Sequence, residues 1–589
     1  MKLSDIAALA RVGGPLVGGA LKRGQLFRPA CELFEPPSDV LCEYEVRVPR
    51  PDGSSLTANV FRSKTAEAQG EQVPVVMCAH PYDNSLLPAL GKTPFGGPPQ
   101  QFRIIRQSGG TPRFSTITSW ESPDPAFWVP NGYAVVNLNL PGYASSDGTP
   151  TMFSEDQGKA FYEAVEWVAS QPWCNGNIGL SGVSFLAISQ YYVAACEAYG
   201  GSPPALKCIS PWEGLSDPLR DIFLWGGIPE VGFTTFWWYG EVNSVIKGRV
   251  DEYLDAEGGT PIELPVIHPF EDDFWRSKVP NLEEIQLPML VCGSFSDHNL
   301  HTNGSFRAFD RASSEHKWLY THRSGKWVSY YSNEVLQMTK AFMDCFLKEN
   351  GQGEFLEMPP VRLEVRSTGD QVYEVRQEHE WPLARTNYIP FYLDANSDVL
   401  TDNRPPDAAE AAHDAHRGQA TFTVRFIEDT EVTGHMKLAV WVEARQSKTG
   451  RLAPQDLALF VAVNKLNVYG KSVRFNGTIG AENDMVSRGQ ALASWRELDE
   501  DASTPWLPVF ASREARPLKS GEVVRVDIPI CPSSTHFAQG ESLQLIVGAQ
   551  EVVPTPPFRK KPPRLGGSAV IHTGADRPSH LLVPVIPTG

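Results

Sequence analysis

Asn177-Ile178-Gly179-Leu180-Ser181-Gly182-Val183-Ser184-Phe185-Leu186-Ala187 is the stretch on which the fold turns. A short apolar run leads into a tight turn carrying a serine, and an amphipathic helical pattern follows. That order is the signature of a nucleophile elbow, in which a strained turn lifts a serine hydroxyl off the end of a strand and aims a helix N-terminus at it. Gly182, two positions before Ser184, suits the close crossing of strand and helix. Two positions after it stands Leu186, so the general Gly-x-Ser-x-Gly pattern is half met. An ordinary strand-helix turn would read the same way, and the assignment needs partners elsewhere in the chain.

Short apolar runs without alternation flank this segment: 73–79, 133–138, 206–210 and 289–293. Runs of that kind suit strands buried on both faces. Helical patterns over 156–170 and 186–199 separate some of them, and strand-helix alternation predicts a mostly parallel α/β sheet. Ahead of it, Pro51-Asp52-Gly53 separates two alternating segments and predicts a hairpin. Between 214 and 286 the alternation stops, and aromatics crowd together (Phe223, Trp225, Phe233, Phe236, Trp237, Trp238, Tyr239), which reads as an inserted helical cap. A helix over 333–348 closes the α/β part. Beyond 351 the pattern becomes short strands separated by Gly, Pro and Asp turns, the mark of a jelly-roll β-sandwich. The expected division is an α/β-hydrolase domain over 1–213 and 287–350, a helical cap over 214–286, and the sandwich over 351–589. The Ala, Asp and His-rich stretch 402–419 reads as a surface loop, and 92–124 as a lid or a subunit contact.

A chain of 589 residues exceeds what one core can organise. The net charge of −17 disfavours nucleic acid and anionic membranes as partners, because no compensating basic patch occurs; Arg559-Lys560-Lys561 reads as a solvated loop. Nine cysteines lack the close pairing of a metal site and read as buried free thiols. The N-terminus has no standard secretory pattern, and no stretch reaches the length of about 18 apolar residues that a spanning helix needs. A cytoplasmic protein is expected, with a homo-oligomer left open.

A serine nucleophile needs a base and a carboxylate to orient that base, in the chain order Ser, Asp, His for α/β-hydrolases. Asp297 follows the run 289–293, just past the end of a strand, where sites on parallel sheets assemble. His322 ends the next short run, Trp318-Leu319-Tyr320-Thr321-His322. Ser184, Asp297 and His322 are therefore the expected triad. His298 and His301 are rivals, but they share a loop with Asp297 and would have to reach the serine while taking their orientation from it. For the oxyanion, the backbone N–H of Phe185 is the first expected donor and the phenol of Tyr82, in His80-Pro81-Tyr82-Asp83-Asn84, the second. Among the aromatics, Trp212, Trp225, Trp237 and Trp238 are candidates to line a substrate pocket.

These residues resemble the X-prolyl dipeptidyl peptidase and cocaine esterase family of serine hydrolases. The resemblance runs through Pro81-Tyr82-Asp83, Gln171-Pro172-Trp173-Cys174-Asn175-Gly176-Asn177, Gly182-Val183-Ser184-Phe185, Ser294-Phe295-Ser296-Asp297 and Tyr320-Thr321-His322. It implies Ser184, Asp297 and His322 as nucleophile, acid and base, and Tyr82 as a side-chain oxyanion donor. Phe185 and Ala187 depart mildly from the family's elbow. A larger departure lies at Asn139-Leu140-Pro141-Gly142-Tyr143-Ala144-Ser145, where the family carries an aspartate and an arginine.

The expected reaction is hydrolysis of a small-molecule carboxylic ester through an acyl-enzyme, with no metal or organic cofactor. Cleavage of an amide, as an X-prolyl dipeptidyl aminopeptidase or an acylase, is the alternative. It would need a carboxylate to hold a substrate amine, for which Glu213, Asp217, Asp221, Glu230 and Glu241 are candidates. Acyl transfer uses the same triad, and a catalytically inactive binding protein is the remaining reading.

Overall fold

The computed structural model describes residues 29–88, 99–349, 351, 353, 355–446, 454–477 and 483–587, with positions 10, 14, 17, 18 and 21 near the N-terminus. The rest of the N-terminal stretch, and residues 92–98 of the expected lid, lie outside the described residues.

The predicted hairpin is formed by β1 (Val40–Pro49) and β2 (Ser55–Ser63), paired antiparallel. The sheet continues through β3 (Val73–His80), β4 (Ala134–Asn139), β5 (Cys174–Val183), β6 (Leu206–Trp212), β7 (Met289–Ser294) and β8 (Lys317–His322). Its order is 1-2-4-3-5-6-7-8, with every pair after β2–β4 parallel. β3, β4, β6 and β7 are buried along most of their length, as their uninterrupted apolar runs require. Helices α1 (Glu155–Ala169), α2 (Phe185–Ala194), α3 (Thr302–Arg311) and α4 (Asn333–Leu347) connect or cover these strands. α1 begins with a full capping box, Ser154 with Gln157. This is an α/β-hydrolase sheet with Ser184 at its middle strand.

Residues 214–286 form short helical pieces, including Phe233–Trp237 and Val250–Glu257, and no strand among them. They are inserted between β6 and β7. A buried ion pair, Lys278 Nζ to Glu257 Oε2 at 2.7 Å, joins two parts of the insertion, and the same ammonium reaches the carbonyl of Met152 at 2.8 Å.

Beyond 355 the chain is β-rich. β9 (Val361–Arg366) pairs parallel with β8, so the hydrolase sheet runs on into the C-terminal region. The long strands β10 (Thr430–Arg445) and β12 (Val523–Phe537) pair antiparallel in one sheet, while β11 (Ala458–Leu466) pairs with β13 (Ser542–Gly548) in the facing one. Leu438, Val440, Val526 and Ile528 meet Val461, Val463 and Leu545 between them in a single apolar core, the arrangement of a β-sandwich. One expected loop is partly a strand: within 402–419, Ala409–Asp414 pairs with Ser568–Thr573 at the edge of a sheet. Its exposure alternates residue by residue, and alternation written in Ala, Glu and His rather than in apolar residues conceals a strand.

The departure at 139–148 has a local explanation. Asn139 accepts a hydrogen bond from Asn84 N–H at 2.9 Å and donates to Thr57 Oγ1 at 2.9 Å, while Asn84 donates to the Asn137 carbonyl at 3.0 Å. A neutral network thus occupies this buried position. Gly142, at φ 79°, could not be replaced, since a Cβ there would lie 2.1 Å from the backbone of Pro150.

Candidate active site

Ser184 leaves β5 with φ 60° and ψ −117°, outside the helical range, and α2 starts at the next residue. Holding a non-glycine residue there costs about 1–3 kcal/mol, and its neighbours supply the restraint. The Ser184 N–H donates to the Trp212 carbonyl at 3.0 Å, tying the turn to β6, and the Ser184 carbonyl accepts from the N–H groups of Ala187 and Ile188. At Gly182 a Cβ would stand 2.5 Å from the Cβ of Leu186. The glycine is what lets the helix cross so close.

Ser184 Oγ lies 3.2 Å from Nε2 of His301, and His301 Nδ1 lies 2.5 Å from Asp297 Oδ2. Both His301 and Asp297 are buried. The loop after β7 explains how one segment supplies both. The N–H groups of Leu300, His301 and Thr302 all donate to the Asp297 carbonyl, at 3.1–3.2 Å, so the loop coils into a helical turn that leads into α3. Residues four apart then share a face. Thr302 Oγ1 ties this turn back to the carbonyl of Ser294 at 2.7 Å.

His322 stands elsewhere. It is the last residue of β8, its Nε2 lies 3.0 Å from Glu213 Oε1, and its Nδ1 meets Ser324 N–H and Ser329 Oγ at 3.2 and 3.3 Å. Trp212 stacks on its ring at 5.4 Å. The expectation that His322 would meet Ser184 therefore differs from the geometry, for a reason set by the sheet. Neighbouring strands are spaced about 4.8 Å apart, and β8 is three strands from β5, so an imidazole on the strand itself falls far short. The objection to His301, that a loop shared with Asp297 could not serve both ends, fails because the loop is coiled. The Asp297/His301 spacing of four was the signal available in the sequence. His298 turns away, its Nδ1 3.7 Å from Asp484 of the C-terminal region.

Lys326, from the turn after β8, reaches into the same cluster. Its Nζ lies 2.9 Å from Asp297 Oδ2, 3.0 Å from His301 Nδ1 and 3.9 Å from Glu213 Oε2. Burial opposes the charge on Asp297, but Lys326 and His301 outweigh it and hold the carboxyl well below its usual range. Burial, then the Lys326 ammonium, pushes the His301 imidazole below its ordinary value. Lys326 itself is held up against burial by Asp297, Glu213 and Glu121.

Tyr82 lines the cavity over Ser184. Trp237 Nε1–H donates to its hydroxyl oxygen at 3.2 Å, which leaves the phenolic hydrogen for another acceptor. Burial, reinforced by Glu241 and Glu121, raises its pKa well above the ordinary value and keeps it a donor. Phe185 opens α2 and sits with Tyr82 edge-to-face at 6.2 Å. Phe153, Phe185, Ile188, Leu215, Ile222, Phe223, Phe233, Thr234, Trp237 and Leu300 complete the wall. Of the four tryptophans expected there, Trp237 alone belongs to this lining. Trp212 packs against His322, Trp225 lies under Lys560 against the C-terminal region, and Trp238 packs on Tyr253.

Most of the candidate amine-holding carboxylates are engaged. Asp217 pairs with Arg220, Asp221 with Arg307, and Glu230 accepts from the N–H groups of Gly232 and Phe233. Glu213 faces His322. Glu241 has no basic partner among the described residues, and burial beside Glu121 raises it to about 8. Glu121, bonded to Trp327 Nε1, is raised by burial to about 8 as well. Glu213, Asp297 and His301 could together offer ligand atoms to a metal, as could Glu213, Cys292 and His322, or Glu410, Glu443 and His572. Lys326 stands against all three members of the first group and against Glu213 of the second, so its cation already fills that electrostatic role there, and Arg445 does the same for Glu410 and Glu443.

The C-terminal region braces the loop that carries Asp297 and His301. Asn299 Nδ2 donates to Thr555 Oγ1 at 2.6 Å, and the buried Arg323 guanidinium, next to His322, donates to the carbonyls of Met485 and Val486.

Comparison with known proteins agrees with this architecture. The model of the X-Pro dipeptidyl-peptidase (S15 family) matches residues 52–327, and that of the X-Pro dipeptidyl-peptidase C-terminal non-catalytic domain matches 354–582. The cocaine esterase of Rhodococcus sp. (strain MB1 Bresler) is 27% identical over 398 residues, covering 59% of this chain and 61% of that one. The chain thus spans less than two thirds of this relative. Among solved structures, a CocE/NonD family hydrolase from Staphylococcus aureus is 34% identical with a TM-score of 0.82, over 93% of this chain and 94% of that one. An α-amino acid ester hydrolase shares the fold at 15% identity and a TM-score of 0.65, over 93% and 97%.

Proposed function

This chain belongs to the CocE/NonD family of hydrolases, and we propose that it is a serine esterase whose triad is Ser184, His301 and Asp297. The observation that carries the reading is the continuous contact from Ser184 Oγ through His301 to Asp297, built on a strained elbow. His301 Nε2 takes the serine proton as Oγ attacks the ester carbonyl, and Asp297 orients the ring and stabilises the imidazolium. The oxyanion sits between the Phe185 N–H and the Tyr82 hydroxyl. His301 then protonates the leaving alcohol, and water, deprotonated by the same ring, releases the acid. The apolar wall around Ser184 suits an apolar or aromatic substituent on the substrate. Lining residues include no carboxylate among the described residues, which favours an uncharged ester over a substrate that must anchor a free amine.

Amide cleavage keeps a second place because of one observation: Glu241 and Glu121 both act on Tyr82, and Glu241 lacks a cation among the described residues. A substrate ammonium would complete that cluster. Turnover of nitrophenyl esters beside a dipeptidyl-proline anilide separates the two. For the esterase reading, a fluorophosphonate is expected to label Ser184, and Ser184→Ala is expected to lose both labelling and ester turnover while melting like the parent. Ester turnover by Ser184→Ala at the parent rate would defeat it.

A further inference from the structure

Lys326 is the buried group that the triad chemistry leaves unused. It is 1% exposed, and a buried ammonium is retained only where charges and hydrogen bonds compensate it. Here the ion-pair partners come from two elements, Asp297 on the loop after β7 and Glu213 directly after β6, while burial raises Glu121, the third acid acting on Lys326, to about 8. Glu213 spends one oxygen on His322, while its Oε2 has no hydrogen-bond partner and stands 3.9 Å from the Lys326 Nζ. Two donors therefore converge on Asp297 Oδ2, the Nδ1–H of His301 and the Lys326 ammonium. Lys326 Nζ also lies 3.0 Å from His301 Nδ1; an ammonium can only donate, so with its hydrogen directed to Asp297 the Nδ1 proton is left for the same carboxylate and Nε2 faces Ser184 as an acceptor.

Resting on the triad reading above, we propose that Lys326, braced by Glu213, is a positioning residue that fixes the Asp297 carboxylate and the His301 tautomer and sets the pH at which ester turnover begins. The charged and titratable groups facing His301 are Asp297 on its own loop, Lys326 after β8 and Glu213 after β6; Glu121 lies beyond Lys326, and His322 beyond Glu213. The signs follow from Coulomb's law. A cation beside His301 disfavours its imidazolium, and an anion favours it. Removing Lys326 raises the affinity of His301 for its proton and moves the acid limb of kcat/KM to higher pH; neutralising Glu213 moves it to lower pH.

The experiment compares the pH profile of nitrophenyl-ester kcat/KM in the parent, Lys326→Met, Lys326→Arg and Glu213→Gln. A displacement of about one pH unit is expected for each charge change, in opposite directions. Lys326→Arg, which keeps the charge, is expected to hold the limb in place while kcat falls, with KM little changed. A purely structural role would lower rates without moving the limbs apart. Limbs that coincide with the parent, or that move in the same direction, overturn the proposal. If Lys326→Met fails to fold, Glu213→Gln alone decides, since an unmoved or raised limb contradicts the assigned sign. Fluorophosphonate labelling separates the levels: an unlabelled Ser184 in the parent overturns the triad reading and this proposal together, whereas a labelled Ser184 with unmoved limbs overturns the role of Lys326 alone.

Discussion

Two buried imidazoles stand a short distance apart at the C-terminal edge of one parallel sheet, and each has a carboxylate beside it. His301 meets Asp297 at 2.5 Å and His322 meets Glu213 at 3.0 Å. Burial and acid partner therefore do not distinguish them; what does is the backbone between strand end and ring. His322 is still in β8, paired with Ser294 of β7, so its ring stays beside its own strand, against Glu213 and Trp212. His301 is the seventh residue after β7, on a loop coiled into a helical turn, and its ring reaches the elbow serine. A base for a nucleophile on the central strand is thus selected by loop geometry before any electrostatic tuning.

The largest expected effect breaks this comparison directly. Replacing His301 by Ala is expected to reduce kcat by about 10⁴- to 10⁶-fold, as loss of a triad base does. His322→Ala is expected to change kcat by less than about tenfold and to lower stability instead, by about 1–3 kcal/mol, because it leaves the buried Glu213 without its hydrogen bond. Steady-state kinetics beside thermal melts read both, and the reverse ranking would exchange the roles of the two rings.

Next in size is the oxyanion donor. Tyr82→Phe keeps the ring packed against Phe185 but removes the hydroxyl, and a loss in kcat of about 10²-fold is expected with the KM little altered, the usual scale for one such donor. A change confined to KM would assign the phenol to substrate binding.

How far these features are legible in the sequence follows the same contrast. Gly182 and Ser184 announce the elbow because local backbone chemistry admits few alternatives: a Cβ at 182 collides with Leu186, and the turn must precede a helix. Asp297 is legible because it follows a strand buried on both faces. His301 is legible only as the residue four after Asp297, because its position depends on a coil closed by three N–H groups on one carbonyl and on the Asn299–Thr555 contact, 256 residues away in the chain. Trp237 and Trp238 are adjacent and alike in composition, and only the packing of the cap decides that the first faces Ser184 while the second meets Tyr253.

The same long-range brace gives a smaller prediction. Asn299→Ala removes a 2.6 Å hydrogen bond between the triad loop and the C-terminal region. A net cost of about 1 kcal/mol in stability is expected, together with a fall in kcat of about tenfold, since small misplacements of reacting groups are costly. An unchanged kcat with lowered stability would confine the C-terminal region to a structural role.

The smallest effect sharpens the comparison through pH. Ester hydrolysis requires His301 neutral, so kcat/KM rises as pH climbs through its pKa. Burial and the nearby Lys326 place that pKa below the ordinary 6.5, so the acid limb is expected to have its midpoint below pH 6.5, with activity retained into mildly acidic solution. The sign is fixed: adding a proton to Nε2 removes the acceptor for the serine hydrogen, and a cation beside the ring makes that protonation harder. A midpoint above 6.5 would mean that the paired carboxylate Asp297 dominates the ring instead, as when an anion is its strongest neighbour.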